Sequence, residues 1–159
     1  MMKILTVYYS HSGNTRKIAE MIQKKLGGDI AEIKTKVPYT GSYNTIVEQG
    51  KREIESGFSP AIEPLGVDVA AYDIVFLGTP VWWYTYAPAI KSFLENIDLS
   101  GKTVFPFATN GGWAGHTLSD FKKGCPGSDV RKGLDVYFSG SSLRTKQKEI
   151  DSWIEKAEG

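Results

Sequence analysis

The chain contains one cysteine, Cys125, and two histidines, His11 and His116, in 159 residues. A single cysteine excludes an intramolecular disulfide and any site built from several thiolates. With so few histidines a zinc site would have to lean on carboxylates, and no ligand spacing offers one. An excess of one charge is lacking too: 19 Lys+Arg against 18 Asp+Glu leave a formal +1. Proteins that grip nucleic acid carry a strong basic excess, so nucleic acid is not an expected partner. No apolar run approaches the roughly 20 residues of a membrane span. The apolar start reaches Ser10 and His11 too soon for a signal peptide. The expectation is a cytoplasmic protein with neither a metal nor a membrane to hold.

What is present reads as one globular domain over residues 1–159. The 41% hydrophobic and 23% charged fractions are ordinary for a packed chain of this length. No linker, repeat or low-complexity segment divides it. Ile4 to Tyr9 is a short continuous β-favouring run, as a strand buried on both faces should be. Ile18, Ala19, Ile22 and Leu26 follow at helical spacing, and Gly27-Gly28 ends that helix. Asp29 to Thr35 reads as a second strand, with Glu32 and Lys34 marking it as an edge. Tyr72 to Gly78 is the clearest buried strand, and Pro88 suits the first turn of the helix after it. Lys102 to Ala108 is a fourth strand, followed by a short helix near His116 to Lys123. Leu134, Val136 and Phe138 alternate with polar neighbours in a fifth. Ile150, Trp153, Ile154 and Ala157 then share one face of a closing helix.

This alternation predicts an α/β fold with helices on both faces of a parallel sheet. Polar second and fifth strands suit five strands in the order 2-1-3-4-5. Pro106 falls inside the fourth strand, where its missing N–H predicts a bulge or an unpaired position. The long connection Lys36 to Ala71 carries a helix pattern at Tyr43, Ile46, Val47, Gly50 and Ile54, with Ser42 as its cap. Pro60 and Pro64 mark its extended return.

Ligands of an open parallel sheet bind at the carboxyl ends of the strands, where the strand order reverses. Three segments fall there. The first, Ser10-His11-Ser12-Gly13-Asn14-Thr15, joins a strand to a helix and gathers hydroxyl and amide donors around one glycine. Free N–H groups and a helix dipole of about half a unit charge favour an anion at such a start. The loop lacks the Lys and spacing of a triphosphate-binding loop, the three-glycine dinucleotide fingerprint, and a nucleophilic Cys. The strand ending at Gly78-Thr79 offers no Asp to accept a phosphoryl group. A phosphate is therefore expected to be held and not transferred.

The second segment is Thr79-Pro80-Val81-Trp82-Trp83-Tyr84-Thr85-Tyr86; the third is Thr109-Asn110-Gly111-Gly112-Trp113-Ala114-Gly115-His116. Three of the four tryptophans lie in these two loops, and neither loop carries a Lys, Arg, Asp or Glu. Such residues describe a flat apolar slot with backbone donors, suited to a planar heteroaromatic ring. Phosphate at one end and a planar ring at the other outline flavin mononucleotide, FMN.

On Ser10 to Thr15, Asp73 to Pro80 and Phe107 to Gly112, the chain resembles a flavodoxin over essentially its full length. With no long insertion splitting Leu134 to Phe138, it resembles the short-chain type. The resemblance implies a flavodoxin-like three-layer sandwich, bound FMN and one- or two-electron transfer. It implies that Ser10, Ser12, Asn14 and Thr15 hold phosphate, with His11 and Gly13 in the same loop. It implies that Thr79, Pro80, Val81, Trp82, Trp83 and Tyr84 of the first ring loop, and Thr109, Asn110, Gly111, Gly112, Trp113 and Gly115 of the second, bind the cofactor, with Trp82 to Tyr84 and Asn110 to Trp113 flanking the ring. Redox partner proteins or small-molecule acceptors are the implied partners.

Two features depart from an electron carrier. Carriers of this family are typically strongly acidic; here residues 60–100 hold five acids and one base, and the remainder sums to +5. A charge-neutral flavin edge implies a less depressed potential and weak steering of a protein partner. The added connection, with Tyr39 and Tyr43 expected to pack its helix rather than border the flavin pocket, resembles flavodoxin-like reductases. That raises an alternative: an enzyme taking electrons from NAD(P)H to a quinone or similar acceptor. A non-redox module binding another phosphorylated aromatic is a third reading.

Overall fold

The computed structural model describes residues 2–158. Five parallel strands run through its centre: β1 (Ile4–Tyr8), β2 (Asp29–Glu32), β3 (Ile74–Trp82), β5 (Thr103–Asn110) and β7 (Leu134–Ser139). Their order is β2-β1-β3-β5-β7, as expected. Three two-residue strands bring the sheet to eight: β4 (Thr85–Tyr86), β6 (Asp129–Val130) and β8 (Ser142–Leu143). β4 and β8 fold back antiparallel on β3 and β7, and β6 adds to β5 before β7 begins. Such short pieces lie below the length at which hydrophobic period is legible.

Side chains alternate across the sheet, so each face has its own core. On one face Leu5, Val7, Val75, Leu77 and Val104 pack under α3 (Pro88–Asn96) and α4 (Thr117–Gly124). On the other Phe76, Phe105, Phe107 and Val136 meet Ile18 and Ile22 of α1 (Asn14–Leu26) and Ile150, Trp153 and Ile154 of α5 (Gln147–Glu155). Helices on both faces make three layers. Trp153, the fourth tryptophan, is a core residue whose indole N–H donates to the Lys132 carbonyl at 2.8 Å. Gly78 admits the Phe107 ring so closely that a Cβ would lie 2.1 Å from Cζ.

Pro106 forms no bulge; its register with Leu77 of β3 is regular. Arg131 donates to the Val104 carbonyl, so by strand alternation Pro106 also turns its backbone away from β3. On that side β6 ends at Val130, and β7 begins pairing only at Phe107–Leu134. The missing N–H thus falls in a gap between two strands. β2 is shorter than expected, but the chain continues extended. Ile33 donates to Tyr8, and Thr35 bridges antiparallel to Ile62 on the return of the long connection. That connection carries α2 (Tyr43–Ser56), capped as predicted: the Ser42 hydroxyl accepts from the Thr45 N–H at 3.2 Å.

The four acids Asp68, Asp73, Glu95 and Asp98 sit at the amino edge of the sheet. Asp68 and Asp73 precede β3, while Glu95 and Asp98 flank the end of α3, which returns antiparallel to the strands. They lie opposite the carboxyl ends.

Candidate functional site

Between β1 and β3 the strand order reverses, and the turn from β1 into α1 lies at that crevice. Gly13 takes a left-handed φ of 101°, which lets the chain bend directly into the helix. The Ser10 hydroxyl closes the turn, accepting from the N–H of Gly13 at 3.1 Å and of Arg16 at 3.3 Å. Among the described residues, the N–H groups of His11, Ser12, Asn14 and Thr15 have no protein acceptor. Four open donors at a helix start offer an anion partial positive charge without a formally charged side chain. The neighbouring cations are engaged elsewhere. Arg16 pairs with Glu32 at 2.6 Å and donates to the Tyr8 phenol, while Lys17 donates to the Ser141 carbonyl.

The expected phosphate side chains divide. Ser12 and His11 open onto a cavity. Asn14 instead donates to the Gly140 carbonyl at 2.9 Å, and buried Thr15 shares a hydroxyl hydrogen bond with Thr109.

β3 runs on past the sheet and turns back as a hairpin: Val81 pairs with Tyr86 and Trp82 with Thr85. The two turn residues, Trp83 and Tyr84, both have positive φ, 49° and 72°. A two-residue turn that matches sheet twist demands this, and it usually takes Asn-Gly or a similar pair. Two aromatics there store strain of about 1–2 kcal/mol each. Thr79 is fully buried at the hairpin's base; its hydroxyl accepts from Ala87 N–H at 3.0 Å and donates to the Pro80 carbonyl. Pro80 pairs with Thr109 across the sheet. Gly115, with φ 60°, lies so close to the hairpin that a Cβ would be 2.5 Å from the Tyr84 oxygen.

In the third segment Asn110 bonds Asp135 through its amide N–H and accepts from Gly112 at 2.8 Å. Its side chain therefore fixes the turn through Gly111 and Gly112. Trp113 projects outward, 68% exposed, with its ring 4.9 Å from that of Tyr84. His116 immediately precedes α4, its N–H donating to the Tyr84 carbonyl and its ring bonded to Asp120. Asp120 also accepts from the Thr85 hydroxyl.

A cavity of about 700 Å³ connects these pieces. Its strand-end wall is His11, Ser12, Val81, Trp82, Trp83, Tyr84 and Trp113. Its other wall is Gly41, Tyr43, Ile46, Val47 and Gly50, from α2 and the residues before it. Among the described residues, no Lys, Arg, Asp or Glu lines it. That second wall escaped the sequence reading, because Ile46, Val47 and Gly50 at helical spacing look the same whether they face a core or a cavity. Tyr39 packs as expected, edge-on to Trp82 with centroids 5.0 Å apart. Tyr43 does not: as the first residue of α2 it is 81% exposed and borders the cavity instead.

Behind Trp82 lie Tyr9, Tyr39 and buried Glu53. The Tyr39 phenol donates to Glu53 at 2.5 Å, and Gln49 donates to the same carboxylate at 2.9 Å. Burial first, and then Glu53, push both the Tyr9 and Tyr39 phenols well above their ordinary range, Glu53 acting on Tyr9 by its charge and on Tyr39 by its hydrogen bond and charge. Both remain proton donors at neutral pH.

A flavodoxin family model matches residues 3–157. By sequence, the chain is 33% identical over 111 residues to flavodoxin 1 of Escherichia coli K12, covering 67% of this chain and 49% of that protein. It thus spans about half the length of the relatives it matches by sequence. By structure, it is similar to a protein from Bacteroides eggerthii described as a flavoprotein, with TM-score 0.84 and 32% identity over 100% and 99% of the two chains. It is also similar to a flavoprotein from Lactobacillus acidophilus, solved in complex with FMN, with TM-score 0.78 and 25% identity over 96% and 99%.

Proposed function

The chain belongs to the flavodoxin family, and from that premise we propose that it binds FMN and acts in electron transfer. One observation carries this reading: four open N–H groups at the start of α1 adjoin an uncharged, aromatic cavity through His11 and Ser12. The residues present fit the two ends of the cofactor. The backbone of His11, Ser12, Asn14 and Thr15, with the Ser12 hydroxyl, would hold the phosphate. Ser10 and Gly13 would shape that loop, and the Asn14 and Thr15 side chains would anchor it to Gly140 and Thr109. Trp82, Trp83, Tyr84 and Trp113 would flank the ring, excluding water from its faces. When bound, FMN supplies one- and two-electron chemistry that no side chain here provides.

The test is a titration of the purified chain with FMN and with riboflavin, followed by tryptophan fluorescence. Charge-assisted backbone hydrogen bonds to phosphate favour FMN by more than about tenfold. Equal affinity for the two removes the loop from the account, and no binding of either removes the reading.

The electron donor and acceptor divide two forms of this proposal. A carrier serving redox partner proteins is the first. The uncharged cavity with its second wall on α2 favours another, an NAD(P)H-dependent reductase of a quinone or similar uncharged acceptor. Asp68, Asp73, Glu95 and Asp98, four of the five acids in residues 60–100, lie at the opposite edge of the sheet and add nothing to a docking patch at the opening. Stopped-flow mixing of the FMN-loaded chain with NADH and NADPH separates the two: direct bleaching of the flavin absorbance supports the reductase, and its absence the carrier.

A further inference from the structure

Helix α2 holds both tryptophans of the hairpin, each by a different means. The Val47 carbonyl accepts the Trp83 indole N–H at 2.9 Å, and the Lys51 ammonium stands 5.1 Å from the centre of that ring. Trp82 lies against bare backbone: a Cβ on Gly50 would come within 3.2 Å of its Cε3 atom. One helical turn further on, buried Glu53 accepts from Tyr39, whose ring meets Trp82 edge-on at 81°. Tyr9 and His11 complete the enclosure, edge-on at centroid distances of 5.9 and 6.0 Å.

Glycine weakens the middle of a helix, because it has more backbone freedom to lose than alanine. At position 50 that loss coincides with the contact between the α2 backbone and the Trp82 ring. A buried carboxylate must be hydrogen-bonded, and Tyr39 and Gln49 meet that need for Glu53. The same bond leaves the Tyr39 ring one orientation, which in turn braces Trp82.

We propose that Gly50, together with the Tyr39–Glu53 pair, positions Trp82 and so sets the depth of the ring slot from helix α2. The proposal rests on the FMN reading for its functional meaning, but its structural content is separable. Gly50, Tyr39 and Glu53 are positioning residues and touch no reacting atom. The slot depth is thereby set by an element that lies outside both ring loops.

Gly50→Ala is the decisive variant. Alanine strengthens the helix, so thermal stability stays level or rises. The added Cβ pushes the indole, so FMN affinity falls about tenfold and the near-UV circular dichroism of the cofactor-free chain changes. Stability and affinity moving apart is not the result of a merely structural residue. Tyr39→Phe weakens FMN binding, Glu53→Ala does the same, and Glu53→Gln restores it because its amide oxygen still accepts the phenol proton. An unchanged near-UV spectrum in Gly50→Ala overturns the proposal, whether or not flavin binds. So does wild-type affinity for FMN in that variant. A wild-type chain that binds no FMN overturns the cofactor reading instead, and the near-UV spectrum still decides whether Gly50 positions Trp82.

Discussion

The hydroxyls of Thr15 and Thr109, 94 residues apart in the chain, meet at 2.7 Å with both side chains buried. One belongs to the first turn of α1 and the other to the end of β5, so the bond ties the phosphate-loop helix to the strand leading into the second ring loop. Thr15→Val leaves the Thr109 hydroxyl buried without its partner, at a cost of about 1–3 kcal/mol. Adding Thr109→Val recovers part of it. A urea-denaturation double-mutant cycle measures the coupling; strictly additive single effects would show that the contact contributes nothing.

Gly115→Ala meets two obstacles together, a φ of 60° and a Cβ 2.5 Å from the Tyr84 oxygen. We expect a loss of about 1–3 kcal/mol and a displaced hairpin. Gly13→Ala also faces a positive φ, but nothing lies within 4 Å of its Cβ. Its loss should be the smaller in thermal unfolding, and the reverse order would refute the steric account.

Tyr84→Asn relieves a left-handed tyrosine, since asparagine tolerates that conformation. The cofactor-free chain should gain about 1 kcal/mol from this relief, offset by the lost contact with Trp113. FMN affinity should fall, because an aromatic wall has gone. A destabilised chain would mean that the Trp113 contact outweighs the strain.

Alkaline pH should unfold the chain early. Burial pushes the Cys125 thiol up to about 11 from its ordinary 9.0, and Tyr9 and Tyr39 are raised as well. These groups keep their protons in the fold and lose them sooner when unfolded. Their contribution is therefore complete below about pH 9 and lost as pH rises through the folded values. Urea midpoints at pH 7 and pH 10.5 check the sign, and Tyr39→Phe should flatten the slope. The native thiol should also resist alkylation at pH 8, because little thiolate is present.

Tyr43→Glu places a carboxylate on the cavity rim at the first residue of α2, a turn that carries no acid. Negative charge there suits the helix dipole by about 0.3–1 kcal/mol and opposes electron density on a nearby flavin. The variant should melt no lower than the parent, and the potential of its bound FMN should be more negative. Spectroelectrochemical titration of the two side by side tests this; an unchanged potential would put the ring far from α2.

The near balance of charge, the order of the five main strands, the Ser42 cap and the three strand-end segments were legible in the residues. Each depends on a local pattern: alternation, helical spacing, a cap or a turn glycine. Pro106 was legible only halfway. Proline chemistry required an unpaired N–H, but the gap between β6 and β7 that accommodates it is made by other strands. The roles of Asn14, Thr15, Thr79 and Asn110 depended on partners distant in sequence, which no local spacing encodes. The same holds for the cavity's second wall and for the acids gathered at the far edge of the sheet. Sequence determined which side chains lie at the carboxyl ends, because backbone periodicity places them there. Only the tertiary structure decided which of them remain open, because that depends on which distant donors and acceptors have already been satisfied.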